Sequence, residues 1–274
     1  VIACPLQYDR VIPYFREEEP AMPDNLMDRN LPQPLAVDFT SIPTERLETM
    51  QAAAADVVEC HRALALTGDN IVGDIIRDVE TFYEWDHYPA GDVYDHITHS
   101  QFYYHAHPQE LRSGEHGHFH TFLRPDGMPK GVRPAMVEDF QMPEGENEAL
   151  SHLIAISMDK FGVPIRLFTT NRWVTGEVWY GADDVRAMLD RFLIDHTRPS
   201  WPVNRWISGM VRLFRPQIVS LIDARDEAIA VWKERYPDRN VFEDNDLEIT
   251  SLMDIDIDDQ IAAVTAALAE RRKS

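Results

Sequence analysis

Gln101-Phe102-Tyr103-Tyr104-His105-Ala106-His107 and His116-Gly117-His118-Phe119-His120-Thr121-Phe122-Leu123 are the two runs that decide the fold class of this chain. Both are rich in aromatic residues and alternate in character. The eight residues between them include Pro108 and Gly114, which break regular structure. Side chains along a β-strand alternate between its two faces. Tyr103, His105 and His107 therefore share one face of the first run, and His116, His118 and His120 share one face of the second. The opposite faces carry Phe102, Tyr104 and Ala106, and Phe119, Thr121 and Leu123, which read as the side packed against a core.

Three further runs extend the β reading: Leu150–Met158, Pro164–Thr170 and Trp173–Tyr180. The last places Trp173 and Trp179 on one strand face. Short connections between consecutive strands favour an antiparallel sheet. Helical spacing dominates on either side. Thr44–Leu66 carries Leu47, Met50, Ala54, Val57, Val58, His61 and Leu64 on one stripe, with His61 read as a hydrogen-bonded core residue. Val72, Ile75, Ile76, Val79, Phe82 and Tyr83 predict a second helix, ending before the turn sequence Tyr88-Pro89-Ala90-Gly91-Asp92. After Gly181 comes a helix with Val185, Met188, Leu189, Phe192 and His196 on its stripe. A long helical stretch follows from about Trp206 to Arg235, kinked or broken at Pro216. Asp254–Asp259 leads into a last helix; it lacks the Gly and Glu positions of a calcium loop. Residues 1–43, rich in Pro and acid, read as an extended arm. The expected architecture is α+β: an antiparallel sheet of about five strands covered by several helices, with an extended N-terminal arm (1–43) and a single domain over 44–274 whose His-rich β core spans about 83–180.

Composition narrows the function. The chain has 274 residues, 44% of them hydrophobic, enough to build a core without disulfide staples. A net charge of −21 argues against nucleic acid and anionic lipid as partners, since both need clustered Lys and Arg. No apolar run is long enough to span a bilayer. These features predict a cytoplasmic protein. Cys4 and Cys60 are the only cysteines and lack zinc-type spacing. Val1-Ile2-Ala3-Cys4 also matches the end of a lipoprotein signal, the alternative in which the chain is lipid-anchored or periplasmic. No phosphate loop and no Gly-x-Ser-x-Gly elbow is present.

The histidines point to metal. Seven of eleven lie between His96 and His120, where the chain-wide frequency gives about one. If His107 stands opposite His116 in a hairpin, His105 stands opposite His118 and Tyr103 opposite His120. Opposed Cβ atoms are then about 4.5–5.5 Å apart, close enough for two imidazoles to share one ion. A slip of one residue in the pairing would send one histidine set to the other face. The candidate ligands are His105, His107, His116, His118 and His120. His96 and His99, spaced for one helical turn, are further ligands or orienting residues. Tyr103 and a nearby carboxylate, Glu115, are candidate assisting groups, although alternation points Glu115 away from His116 and His118. Asp92, Asp95 and Glu177 are other acidic candidates. Imidazole suits iron, copper and zinc; the absence of nearby Cys favours iron or copper over a structural zinc.

His87-Tyr88-Pro89-Ala90-Gly91-Asp92-Val93-Tyr94-Asp95, Ser100-Gln101-Phe102-Tyr103-Tyr104-His105-Ala106-His107, Glu115-His116-Gly117-His118-Phe119-His120 and Leu167-Phe168-Thr169-Thr170-Asn171-Arg172-Trp173-Val174-Thr175-Gly176-Glu177 together resemble an uncharacterised bacterial family, a domain of unknown function. The resemblance covers roughly residues 83–180 and implies no reaction. The paired histidine runs are distantly similar to the two-histidine metal motif of the cupins. The Gly, Pro and downstream Glu and His of that motif are not met, so the likeness is one of site and not of fold. The sequence thus favours a mononuclear metalloenzyme, an iron- or copper-dependent oxidoreductase acting on a small molecule. The alternatives are a transition-metal carrier, store or sensor, and a metal-free accessory subunit.

Overall fold

The computed structural model describes Asp28, residues 30–108, Arg112 and residues 114–273. Six antiparallel strands form one sheet in sequence order: β1 (Tyr88–Tyr94), β2 (Ser100–His105), β3 (Gly117–Leu123), β4 (Ser151–Met158), β5 (Pro164–Thr170) and β6 (Ile249–Asp254). Seven α-helices accompany it among the described residues: α1 (Thr44–Ala65), α2 (Ile71–Ile76), α3 (Arg172–Thr175), α4 (Ala182–Met188), α5 (Trp201–Leu213), α6 (Arg215–Arg235) and α7 (Ile257–Arg271). The α+β class holds. Cys4 and most of the expected arm lie outside the described residues. From Leu31 to Ile42 the chain is irregular and runs beside α6, where the Ser220 hydroxyl donates to the Leu35 carbonyl over 2.9 Å. No described helix is long and apolar enough to cross a membrane.

The sheet has one apolar and one polar face. On the apolar face Phe102, Tyr104, Phe119, Ile154, Ile156 and Leu167 join the helix residues Leu47, Met50, Trp206, Ile218 and Leu221 in the main core. Phe119 and Trp206 are fully buried, their rings 5.4 Å apart, which ties β3 to α5. Burying one such aromatic side chain stabilises the fold by about 1.5–3 kcal/mol. His61 on α1 accepts a 3.0 Å hydrogen bond from the Trp206 indole, as expected of a core histidine.

Several expected elements differ. Trp173–Tyr180 is not a strand. The Asn171 side chain caps α3, and Gly176 ends it in the left-handed region at φ 65°, so local capping overrides the aromatic pattern. Trp173 and Trp179 consequently share no strand. The supposed turn at Tyr88–Asp92 belongs to β1, whose pairing with β2 is irregular between Tyr88 and Val93. There Asp92 has φ 61° and Gly91 φ 84°, a bulge written in turn residues. The sixth strand, β6, is short and polar (Thr250, Ser251, Asp254) and gives little periodic signal. The second helix stops at Ile76, well short of Tyr83, and His196 lies beyond α4. At Pro216 the long helical stretch is broken into α5 and α6, which meet at Phe214. Asp256 caps α7 by accepting from the Asp258 and Asp259 amides, the role of the acidic run there.

Candidate metal centre

The other face of the sheet carries the histidines, and the strand register sets them side by side. His105 stands opposite His118, which stands opposite Ser157, which stands opposite Arg166. One row further along, Tyr103, His120, Ala155 and Phe168 follow one another across the same strands. The His105–His118 and Tyr103–His120 pairs of the expected register are found, whereas His107 and His116 lie outside the paired strands. His105 Nε2 and His118 Nε2 face each other at 2.7 Å. Ligand nitrogens of His105, His118 and His120 all lie within 4.8 Å of one another, close enough to hold one metal ion. For metal–nitrogen bonds of about 2.0–2.1 Å, neighbouring nitrogens sit about 2.9–3.4 Å apart.

The nitrogens on the far side of two of these rings are anchored. Glu115 Oε1 is 2.7 Å from His118 Nδ1, and Arg112 Nη1 is 3.6 Å from the same carboxylate oxygen. A carboxylate accepts at Nδ1–H and leaves the Nε2 lone pair free. His120 Nδ1 is 3.0 Å from His152 Nε2, and His152 Nδ1 is 3.5 Å from the Thr170 hydroxyl. With Nδ1 engaged, His120 Nε2 is left buried and without a hydrogen-bond partner. Buried polar atoms in native proteins are nearly always satisfied, so an orphaned imidazole nitrogen beside two others fits an ion.

Burial keeps these imidazoles neutral, the form that binds metal. It pushes His105 down to about 3 and His107 to about 4, and holds His118 and His120 well below the usual imidazole range. Burial also pushes His152 down to about 3 and raises the Tyr103 phenol, which stays protonated.

The remaining candidates fall in different places. His107 lies just past β2, half-buried, its ring 4.7 Å from that of His105, 5.0 Å from that of His118 and edge-on to Trp85 at 4.2 Å. His116 departs from the group. Strand β3 begins at Gly117, so alternation does not reach back to it, and its Nδ1 is 2.5 Å from the Tyr104 hydroxyl on the opposite face. Gly117 is required there, because a Cβ would strike the His105 carbonyl and the Tyr104 ring. The same start of β3 corrects the expectation for Glu115, which turns toward His118. His96 and His99 sit in the β1–β2 turn, about 20 Å along the strand from His105. The Asp95 carboxylate builds that turn by accepting from the Ile97 and Thr98 amides, and His99 Nδ1 is 2.6 Å from the Tyr94 hydroxyl. Neither histidine reaches the cluster. Tyr103 stacks on His87 at 3.6 Å and lies 5.1 Å from the His120 ring. Asp92 bonds His87 and Gln101.

Sequence reasoning missed His87 and His152, each an isolated histidine outside the dense segment. Alternation along Leu150–Met158 groups His152 with Ile154 and Ile156; only the register shift between Thr121 and Phe122 sets it opposite Phe122, on the histidine face, and the sequence carries no signal of that shift. Glu177 is fully buried beneath it, with Oε2 accepting from the His152 amide over 2.6 Å; burial raises its carboxyl to about 8.

An antiparallel sheet with a three-histidine cluster on its polar face defines a protein with the side-chain arrangement of a metal site. The chain belongs to the family described as domain of unknown function (DUF6969), whose family model matches residues 51–255. No curated protein and no solved structure matches the chain.

Proposed function

We propose that this protein is a mononuclear metalloenzyme, an iron- or copper-dependent oxidoreductase acting on a small molecule, with the ion held by His105, His118 and His120. The observation that carries the reading is the unpartnered Nε2 of His120 beside the opposed Nε2 atoms of His105 and His118. Three neutral imidazoles form a donor set that suits copper, iron or catalytic zinc. They leave further coordination positions free, which an enzyme needs. The bound ion would supply Lewis-acid or redox chemistry. Glu115 and His152 hold the ligand rings in orientation, and the protonated Tyr103 phenol is placed to donate a hydrogen bond to a bound molecule.

The absence of a thiolate argues against a structural zinc site, whereas three imidazoles with open positions suit copper, iron or catalytic zinc. The 2.7 Å contact between His105 and His118 supports a second reading, in which one imidazole donates to the other and the cluster is structural. Metal content of untagged protein purified without chelator, measured by plasma mass spectrometry, separates the two. Near one iron or copper per chain, lost in the His105→Ala plus His118→Ala double variant, supports the enzyme reading. Stoichiometric zinc would move the chemistry to Lewis-acid catalysis. Protein that takes up none of these ions makes the cluster structural.

A further inference from the structure

Ser157 and Arg166 continue the row that His105 and His118 begin, on the same face of the sheet. Both are buried. Arg166 is held from one side only: Asp254 Oδ1 accepts from Nε at 2.8 Å and lies 2.7 Å from Nη2. The guanidinium is a rigid planar fork, so Nη1 points away from Asp254. Asp254 belongs to β6, and the other side of Arg166 is Ser157 and His118. Nη1 is buried and has no partner. The Ser157 hydroxyl lies against Glu115 but likewise makes no hydrogen bond of good geometry.

Among the described residues, Arg112 and Arg166 are both buried and Glu115 is the buried carboxylate beside them, whereas the side chains of their partners Glu248 and Asp254 are 45% and 77% exposed. A buried cation with an open donor is costly unless an anion answers it. His118 and Arg166 are two strand spacings apart, about 10 Å between backbones, with Ser157 between them in the row.

We propose that Arg166 Nη1 and Ser157 Oγ form an oxyanion subsite, and that the small molecule handled at the three-histidine centre carries a carboxylate that binds there. This rests on the metal reading for its substrate class, but the subsite itself is made of protein groups alone. The site takes a short carboxylic acid, with one carboxylate oxygen on Arg166 and Ser157 and the remainder directed toward the ion.

The test uses the full chain, metal-free and loaded with cobalt(II), titrated with sodium acetate by calorimetry and followed in the visible cobalt bands. Acetate is expected to bind one site per chain and to shift the cobalt spectrum. Arg166→Gln should weaken that binding about tenfold or more, the loss of a charged hydrogen bond, while still taking up one cobalt. Ser157→Ala should weaken it by a smaller factor. Equal acetate affinity in wild type and Arg166→Gln overturns the proposal, as does a cobalt-loaded protein that ignores acetate, the result expected if water alone fills the subsite. If the chain takes up no cobalt, the metal reading fails, and the metal-free titration decides the subsite: Arg166-dependent acetate binding upholds it, and none overturns it. If Arg166→Gln lacks the native circular dichroism spectrum, Ser157→Ala decides, and an unchanged acetate affinity overturns the proposal.

Discussion

Glu115 reaches across the start of β3 to place Oε1 2.7 Å from His118 Nδ1, and both side chains are almost wholly buried. A carboxylate in that position fixes which nitrogen of His118 carries the proton and raises the basicity of the other. Glu115→Gln preserves size and removes the charge. It should lower the affinity for the bound ion about 10–100-fold, measured by competition with a chromogenic chelator, while the thermal transition stays cooperative. An unchanged affinity would show that Glu115 does not act through the His118 ring.

The cluster divides the histidines of the dense segment into ligands and neighbours. His120→Ala should abolish stoichiometric metal uptake. His107→Ala should leave one ion per chain, because its ring packs on Trp85 and on the His105 and His118 rings and stands outside the three-nitrogen group. His96→Ala and His99→Ala should also leave metal content unchanged, since both sit in the turn built by Asp95. Metal analysis of the four purified variants checks the division. Loss of the ion in His107→Ala would make it a fourth ligand.

Much of this arrangement was legible from period-two alternation. The shared face of Tyr103 and His105, that of His118 and His120, and the apolar reverse side of Phe102, Tyr104 and Phe119 follow from it; the facing of His105 with His118 and of Tyr103 with His120 needed an assumed hairpin register as well. What alternation misjudged lies where the strands begin and end. His116 and Glu115 stand just outside β3, and a strand rule carried beyond its boundary inverts both. Trp173–Tyr180 misleads because capping by Asn171 and the left-handed Gly176 are local effects that outweigh aromatic content. Strand β1 is hidden by its bulge, whose Gly91 and Asp92 read as a turn. His152 and Glu177 come to the site only through tertiary pairing of β4, so no dense motif marks them.

Away from the site, His61 gives a stability term of known sign. Burial against Trp206 pushes its imidazole down to about 4. The unfolded chain therefore binds a proton between about pH 6.5 and 4 that the folded chain refuses, and stability falls as pH drops through that window. From pH 7 to pH 5 the loss from a fully shielded histidine is about 2 kcal/mol; His61 is only half-buried, so its share is at most that. Urea unfolding of wild type and His61→Gln at both pH values should show a smaller loss in the variant. Equal losses would mean that His61 is protonated in the folded protein.

Glu177 works with the opposite sign. Its carboxyl is raised to about 8 by burial, which outweighs the pull of Arg225 and of the His152 amide. Oε2 accepts from that amide while Oε1 is buried without a partner. The folded chain thus holds a proton that the unfolded chain releases above pH 4.5. The stabilising contribution is full below pH 4.5 and is lost as pH rises toward 8. A glutamine side chain cannot ionise and resembles the protonated acid, so Glu177→Gln should match wild type near pH 5. By pH 7 the variant should be the more stable by about 3 kcal/mol, since wild type has by then given up most of its proton-linked stability. Urea unfolding at pH 5, 6, 7 and 8 reads the difference directly. A gap that stays constant with pH would place the folded carboxyl in its ordinary range, ionised and paired with Arg225. The metal content of Glu177→Gln should equal that of wild type throughout, because Glu177 touches the backbone of His152 and none of the three ligand rings.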